Sequence, residues 1–93
     1  MTLDSINVFV KDPNAILDYS VDWTEWLVAD TIASVVWTVP AGITQTAVAA
    51  TTKIATIWLS GGTAGQSYDL ICRIATAGGR TDDRTITITV RNR

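Results

Sequence analysis

The sequence contains no histidine and only one cysteine, and both shortages limit the chemistry that it can perform. Histidine is the commonest general base and the commonest metal ligand in proteins. The single Cys72 cannot form a disulfide within the chain, so the fold must hold without covalent cross-links. Cys72 also lies on the apolar face of an alternating segment, which favours a core position over a nucleophilic one. We therefore expect no enzyme activity, no metal site and no cofactor.

Charge is also sparse. Only 17% of the 93 residues are charged and the formal net charge is -2, so the composition does not indicate binding to nucleic acid or to a membrane surface. No segment approaches the roughly 18 apolar residues of a membrane-spanning helix. The first ten residues lack the basic and apolar regions of a secretory signal. We expect the chain to be made and folded in a reducing cytosol.

The sequence is rich in strand-forming residues instead. Threonine, valine, isoleucine and tryptophan are plentiful, whereas there are only one glutamate and two lysines, the usual residues of helix surfaces. No segment keeps a helical repeat of apolar residues over three turns. Turn-forming residues recur at short intervals, at 12–14, 40–42, 61–62, 65 and 78–79. This spacing is typical of a β-sandwich or a barrel.

Alternation of apolar and polar residues predicts six strands, over residues 17–24, 31–39, 44–50, 54–60, 67–76 and 84–92. In the first strand, Tyr19 and Val21 share a face with Trp23, and a short helical turn follows over 24–27. A hairpin loop over 77–83 joins the last two strands. Residues 11–15 are a candidate for a further edge strand.

A tyrosine near the start of the fifth strand supports the same fold. Tyr68 follows Gly65-Gln66-Ser67, a position typical of the tyrosine corner, in which the hydroxyl bonds to nearby backbone. We predict an all-β, immunoglobulin-like antiparallel β-sandwich of about six or seven strands over residues 11–93. Residues 1–10 are predicted to be an N-terminal arm or an edge strand, and such an arm can pair with a neighbouring chain.

Two pairs of aspartates are candidates for a catalytic or a metal-binding site. Asp18 and Asp22 are separated by about 13 Å along one strand, too far for an acid–base pair. Asp82 and Asp83 stand with Arg80 and Arg84 in the densest charge cluster of the chain. This cluster is a calcium site, an internally paired loop or a surface that binds a partner.

The four tryptophans, Trp23, Trp26, Trp37 and Trp58, are many for this length. Tryptophan fills sandwich cores, but it also forms interfaces and carbohydrate platforms. We assign Trp37 to the core. Trp26, just beyond the first strand, is the best candidate for exposure and contact.

Several short motifs occur in a specific order along the chain. They are Lys11-Asp12-Pro13, Leu17-Asp18-Tyr19, Asp22-Trp23, Trp26-Leu27, Asp30-Thr31-Ile32, Trp37-Thr38-Val39-Pro40-Ala41-Gly42, Trp58-Leu59-Ser60-Gly61-Gly62-Thr63-Ala64-Gly65 and Gly79-Arg80-Thr81-Asp82-Asp83-Arg84. In these motifs the chain resembles a family of small structural proteins of tailed bacteriophages, of the phage fiber-tail adaptor type. The resemblance spans about residues 11–93, and the stretch 45–53 follows it less closely.

The resemblance implies a non-catalytic virion protein that links tail and tail-fiber components by protein–protein contacts. Its partners would be other virion proteins of the tail, fiber or capsid. It would be located in the virion, which is assembled in the host cytoplasm, and it would be homo-oligomeric in the particle. The alternatives are a capsid decoration protein that cements neighbouring capsomers, and a host-glycan-binding module built on Trp26. Sandwich domains serve all three tasks, so the fold does not choose between them.

Contacts with partners are expected in loops, because the alternating strand faces are needed for the core. We predict them at Lys11, Asp12 and Trp26 and in the loop that carries Arg80, Asp82, Asp83 and Arg84. Arginine is enriched at interfaces because its planar fork binds two acceptors at once. The alternative is that this loop is paired internally and has no partner.

Overall fold

The computed structural model describes residues 8–92, and in this part of the chain it contains seven strands and one helix. The strands are β1 (Val8–Lys11), β2 (Leu17–Asp22), β3 (Ile32–Thr38), β4 (Ile43–Ala50), β5 (Ile54–Gly61), β6 (Ser67–Thr76) and β7 (Thr81–Val90), and the helix is α1 (Thr24–Leu27). No helix in this range is long and apolar enough to cross a membrane. Residues 1–7 of the predicted N-terminal arm lie outside the described residues, and residues 8–10 belong to β1.

The strands form two sheets. One has the order β1-β7-β6-β3 and the other the order β2-β5-β4. The orders β7-β6-β3 and β2-β5-β4 are those of strands G-F-C and B-E-D in immunoglobulin sandwiches. The prediction of an all-β sandwich with six or seven strands is confirmed. One feature was not predicted: β1 runs parallel to β7, with Val8 opposite Thr87 and Lys11 opposite Val90.

The core lies between the two sheets and consists of alternate residues, as the sequence pattern predicted. Its members are at most 7% exposed: Tyr19, Val21, Trp23, Leu27, Ile43, Ala55, Ile57, Leu59, Leu70, Cys72, Ile74, Ile86, Ile88 and Val90. The core position of Cys72 is confirmed, and burial raises the pKa of its thiol to about 11. The thiol is therefore protonated at neutral pH, and it has little nucleophilic character.

The tyrosine corner is present. The backbone N–H of Thr63 donates a hydrogen bond to the Tyr68 hydroxyl at 3.0 Å. Two glycine turns close over this ring, at Gly42 with φ +100° and at Gly62 with φ +94°. A Cβ atom on Gly42 would lie 2.9 Å from Cε1 of Tyr68, so a larger residue would displace the ring. This packing explains why glycine stands at these two turns.

The hairpin between the last two strands is shorter than predicted. The sequence indicated a loop over 77–83, whereas β7 begins at Thr81 and only residues 77–80 connect it to β6. Asp83 lies opposite Arg73 in the ladder, and its carboxylate accepts two hydrogen bonds from that guanidinium, at 2.7 and 3.1 Å. Asp83, one of the charges that suggested a loop, therefore belongs to a paired strand. Opposite charges that face each other across a ladder stabilise a sheet.

Candidate partner-binding surface at one end of the sandwich

Three connections meet at one end of the sandwich, which we call the Trp26 end: residues 23–31, 51–53 and 77–80. Three backbone hydrogen bonds of 2.9 Å join them, from Trp23 N to Lys53 O, from Ile32 N to Thr52 O and from Ala77 N to Thr31 O. Because each connection bonds to another, the Trp26 end is one fixed surface rather than three separate loops.

Asp22 fixes the start of the helix α1. Its Oδ1 accepts a hydrogen bond from the Thr24 backbone N–H at 2.9 Å and another from the Thr24 hydroxyl. These bonds, the one from the hydroxyl first, lower the pKa of Asp22 below its ordinary value. A helix of four residues has little stability of its own, so such side-chain contacts hold it in place.

The Arg80 side chain attaches α1 to the connection between β6 and β7. Its guanidinium lies 4.2 Å from the centroid of the Trp26 ring. Nη2 donates to the carbonyl oxygen of Leu27 at 2.9 Å, and Nη1 donates to that of Trp26 at 3.4 Å. These carbonyl groups lie at the C-terminal end of the helix, where the helix has no further backbone N–H group to bond to them. One side chain therefore closes the end of α1 and covers one face of Trp26.

A second cation–aromatic contact lies beside the first. The Arg84 guanidinium is 4.4 Å from the Trp23 ring centroid, and Nη1 donates to the carbonyl oxygen of Asp22 at 3.1 Å. Trp23 is fully buried and meets Trp26 edge to face, at 5.4 Å and 73°. Arg84, Trp23, Trp26 and Arg80 form a continuous series of contacts across this end of the sandwich, which we call the arginine–tryptophan stack.

Asp30 receives hydrogen bonds from two sides of the Trp26 end. Its carboxylate accepts from the N–H of Thr31 at 2.9 Å, from the N–H of Gly78 at 3.0 Å and from Nε of Arg80 at 3.1 Å. The pKa of Asp30 is lowered to about 2, first by the Thr76 hydroxyl and then by the Thr31 N–H. Asp30 is therefore ionised at neutral pH, and it joins two of the three connections.

Val28 has a backbone conformation that valine rarely adopts. Its φ is 60° and its ψ is -99°, and the resulting clash of a β-branched side chain costs about 1–3 kcal/mol. Backbone bonds hold it there, from Val28 N to Thr24 O at 3.1 Å and from Asp30 N to Leu27 O at 2.9 Å. The side chain is 77% exposed. The Trp26 end therefore holds an exposed apolar side chain in a strained position, a feature that recurs at binding sites.

Lys11 and Asp12 were predicted to act beside Trp26, but they lie at the opposite end of the sandwich. Lys11 stands opposite Val90, the last residue of β7, whereas Arg80 immediately precedes the first residue of that strand. A strand of 10 residues separates the two ends by about 30 Å. The predicted contact residues therefore do not form one surface.

Lys11 is also fully buried, which corrects its prediction as a contact residue. Its Nζ donates to the carbonyl oxygens of Gly61 at 2.7 Å and of Asp12 at 2.9 Å. Burial lowers the pKa of this ammonium group, an effect that the charge of Asp12 opposes. Asp12 is partly exposed, and its Oδ1 accepts from the N–H of Asn14 at 2.8 Å. Both residues close turns rather than present charges outward.

The predicted Arg80–Arg84 loop is divided between the two faces of a strand. Arg84 points to the core side, as Ile86 does, and Asp83 points to the outer face, since side chains alternate. Arg73 holds Asp83 there and lowers the pKa of its carboxyl. Asp82 and Asp83 therefore diverge, which argues against a shared calcium ion. Within residues 8–92, no group of three or more acidic or cysteine side chains is placed to hold a metal ion.

Three of the predicted residues meet at the Trp26 end: Trp26, Arg80 and Arg84. Trp26 is only partly exposed, because Arg80 and Trp23 cover much of it. Val28 could not be predicted from the sequence, since nothing in its neighbours indicates a positive φ. The role of Asp30 depends on contacts with residues about 50 positions away, which a local pattern cannot show.

The fold and the Trp26 end define a small β-sandwich module that presents a fixed surface of connections at one end. Residues 11–89 match the family described as Podophage GP4 fiber-tail adaptor protein gp77. This match covers most of the chain, and the protein belongs to that family of phage structural proteins. The resemblance seen in the sequence motifs is thereby confirmed. A comparison with curated proteins found no match.

Proposed function

We propose that this protein is a non-catalytic adaptor that joins tail and tail-fiber proteins of a phage particle, and that it binds one of them through the Trp26 end. Membership of the fiber-tail adaptor family supports the linking role. The observation that carries the choice of surface is Val28, an exposed apolar residue held in a strained conformation. We further propose that several copies act together, following the symmetry of the particle.

The rigidity of the Trp26 end supports this role. A surface that is already fixed loses little conformational entropy when it binds, so more of the contact energy contributes to affinity. The arginine–tryptophan stack and Asp30 fix the connections that carry Val28. A partner that covers Val28 would exclude water from an exposed apolar side chain, and neighbouring contacts that exclude water strengthen such a contact.

The chemistry of the chain also favours a binding role over catalysis. Asp30, the most strongly perturbed carboxylate at this end, is engaged by Arg80 and by backbone N–H groups. Arg80 covers one face of Trp26, which leaves that face closed to a sugar ring. These contacts argue for a protein partner rather than for a glycan.

A matched pair of glycine substitutions tests the proposal. Val28→Gly removes the exposed side chain, and the loop keeps its shape because glycine adopts positive φ without strain. Val36→Gly removes a valine that is 59% exposed on the outer face of β3, away from the Trp26 end. Incorporation into particles is measured by complementing a phage that lacks the gene.

We expect Val28→Gly to reduce incorporation by about tenfold or more, and Val36→Gly to leave it near the wild-type level. Equal incorporation of the two variants would reject the Trp26 end as the contact surface. Loss of fiber attachment in particles without the protein supports the adaptor role. Intact fibers with a weakened capsid would favour the decoration role instead.

A further inference from the structure

The two sheets of the sandwich have unequal numbers of strands. At one side β1 lies over β2, since the rings of Phe9 and Tyr19 are 5.2 Å apart and the Tyr19 hydroxyl donates to the carbonyl oxygen of Val10 at 3.3 Å. From this side the first sheet continues for four strands and the second for three. Within residues 8–92, therefore, no strand of the second sheet lies opposite β3.

The burial of side chains follows this asymmetry. On β6 the inward residues Leu70, Cys72 and Ile74 are completely buried. On β3 the residues that pack against the core, including Val35 and Trp37, are only partly buried. On β4, Val48 is 50% exposed, although Ile57 opposite it on β5 is completely buried.

A groove of about 580 Å³ occupies this place, between β3 and β4. Its lining includes the apolar residues Ile32, Val35, Trp37, Val48 and Ala50, and it is completed by small residues of the same two strands and by Thr51 and Thr52. At the Trp26 end the bond from Ile32 N to Thr52 O closes the groove. We call it the β3–β4 groove.

Both strands beside the groove have an open edge. Among the described strands, β4 pairs only with β5, and β3 pairs only with β6. Neither Ile32–Thr38 nor Ile43–Ala50 contains a charged residue or a proline, in a chain with 16 charged side chains, 7 basic and 9 acidic. Proteins usually protect open edges with charges or proline, because an unprotected edge pairs with other strands.

We propose that the β3–β4 groove accepts one extended segment of another protein of the particle, which adds as a strand beside β4 and opposite β3. The added strand would bond to the open edge of β4 and place alternate apolar side chains against Val35 and Trp37. The lack of charge along the groove predicts an uncharged segment, since a buried charge would find no partner there. The inference rests on the proposed function in one respect, namely that the protein which supplies the extended segment is another protein of the particle.

The position of β3 argues for a free segment rather than for the β4 edge of a second copy. If two copies joined their β4 strands side by side, the β3 strand of each copy would lie over the β4 strand of the other. In such an antiparallel joint, each β3 would occupy the space of the other copy's β6, which lies over the other copy's β4. A single extended segment has no second sheet and fits without this clash.

Hydrogen exchange of the free protein and of the same protein within purified particles tests the inference. When a strand is added, amide protons along the outer edge of β4 become bonded and exchange more slowly. We expect amides in Ala47–Ala50 to slow by about tenfold or more in the particle. The particle is analysed wherever the protein is located in it, so this test does not depend on a tail position. Unchanged exchange along both β3 and β4 would overturn the inference.

Two lysine substitutions on one strand give a matched control. Val48→Lys places a charge in the groove, whereas Ala47→Lys places one on the opposite face of β4, at a residue that does not line the groove. Both residues are exposed, so both variants should fold with near wild-type thermal stability. We expect Val48→Lys to reduce incorporation about tenfold and Ala47→Lys to leave it unchanged. Equal incorporation would contradict the inference.

Self-association is distinguished by the mass of the free protein. We expect a monomer by light scattering at concentrations up to about 100 μM, where a weak dimer with a Kd near 1 μM would be evident. A dimer that Val48→Lys dissociates would mean that a second copy fills the groove, and it would overturn the proposal. If slower exchange in β4 is found in particles in which Val28→Gly incorporates normally, the groove is the contact and the Trp26 end is not.

Discussion

Arg80 stacks on Trp26 at 4.2 Å and also donates a hydrogen bond to its carbonyl oxygen, although 54 positions separate the two residues in the chain. The same guanidinium bonds to Leu27 and to Asp30. Arg80 is therefore the residue that joins α1 and the connection after it to the hairpin of β6 and β7. The stability of the Trp26 end should depend on this one side chain more than on any exposed ion pair.

The first prediction concerns this residue. Arg80→Ala should lower the free energy of unfolding by about 2 kcal/mol, because it removes one of the two donors to the Leu27 carbonyl, removes the bond to Asp30 and uncovers Trp26. Arg80→Lys should recover less than half of that loss, since lysine lacks the planar fork. Urea unfolding followed by tryptophan fluorescence measures both. The control is Arg73→Ala, which removes an exposed pair with Asp83 and should change the free energy of unfolding far less than Arg80→Ala does, because exposed ion pairs contribute little.

The second prediction concerns backbone strain. Val28→Gly should raise the free energy of unfolding by about 1 kcal/mol, because glycine adopts φ of 60° without a clash. The gain is smaller than the full strain since glycine also increases the entropy of the unfolded chain. Val36→Gly, within a strand, should lower stability by about 1 kcal/mol. A loss of stability in Val28→Gly would show that the valine side chain contributes contacts that outweigh its strain.

The third prediction compares two adjacent glycines. A Cβ atom on Gly62 would lie 2.7 Å from Cγ2 of Val90, whereas one on Gly61 would meet nothing within 4 Å. Both residues have positive φ, so Gly61→Ala carries backbone strain alone, about 1 kcal/mol. Gly62→Ala adds a clash with the core and should lose about 3 kcal/mol or more. Thermal unfolding by circular dichroism would refute the packing argument if it gave the two variants equal midpoints.

The fourth prediction concerns acid. The pKa of Asp30 is about 2 in the folded protein, below its ordinary value of 3.8, so the folded state binds this proton less tightly than the unfolded state. The resulting stability is fully present above about pH 5 and is lost as the pH falls through the range from about 4 to 2. Asp30→Asn should therefore show a weaker fall of the melting temperature between pH 5 and pH 2.

Asp18→Asn removes the same charge from the exposed face of β2 and serves as the control. It should keep the acid sensitivity of the wild-type protein. If Asp30→Asn and the wild-type protein lose stability in parallel through this pH range, the hydrogen bonds to Asp30 contribute nothing to folding.

Regular alternation was the most reliable guide to this fold. The bounds of β6 at Ser67 and Thr76 followed from a repeat of period two, and the tyrosine corner at Tyr68 followed from its place at the start of that strand. Such features are local, so they can be read from neighbouring residues. Alternation does not show which face of β5 points inward, because Ile57 and Trp58 are both apolar. Packing against the other sheet decides it, and Ile57 is the one that is fully buried.

The errors at the site come from contacts that cross the fold. Asp83 and Arg84 were taken as loop charges, but their partners lie on neighbouring elements, Arg73 on β6 and Trp23 after β2. Lys11 was predicted to contact a partner because it lies beside a turn, but it is buried, and its acceptor Gly61 lies 50 positions further along the chain. A charged residue in a sequence shows that a partner is needed, but it does not show which element supplies the partner.

A cryo-electron microscopy map of the intact particle would show where the protein lies and which of its surfaces is covered. We predict density for the sandwich at the junction of tail and fiber, with Val28 and the rest of the Trp26 end against another protein. Density on every capsomer would contradict the tail assignment. A sandwich at the junction whose Trp26 end faces solvent would contradict the choice of surface.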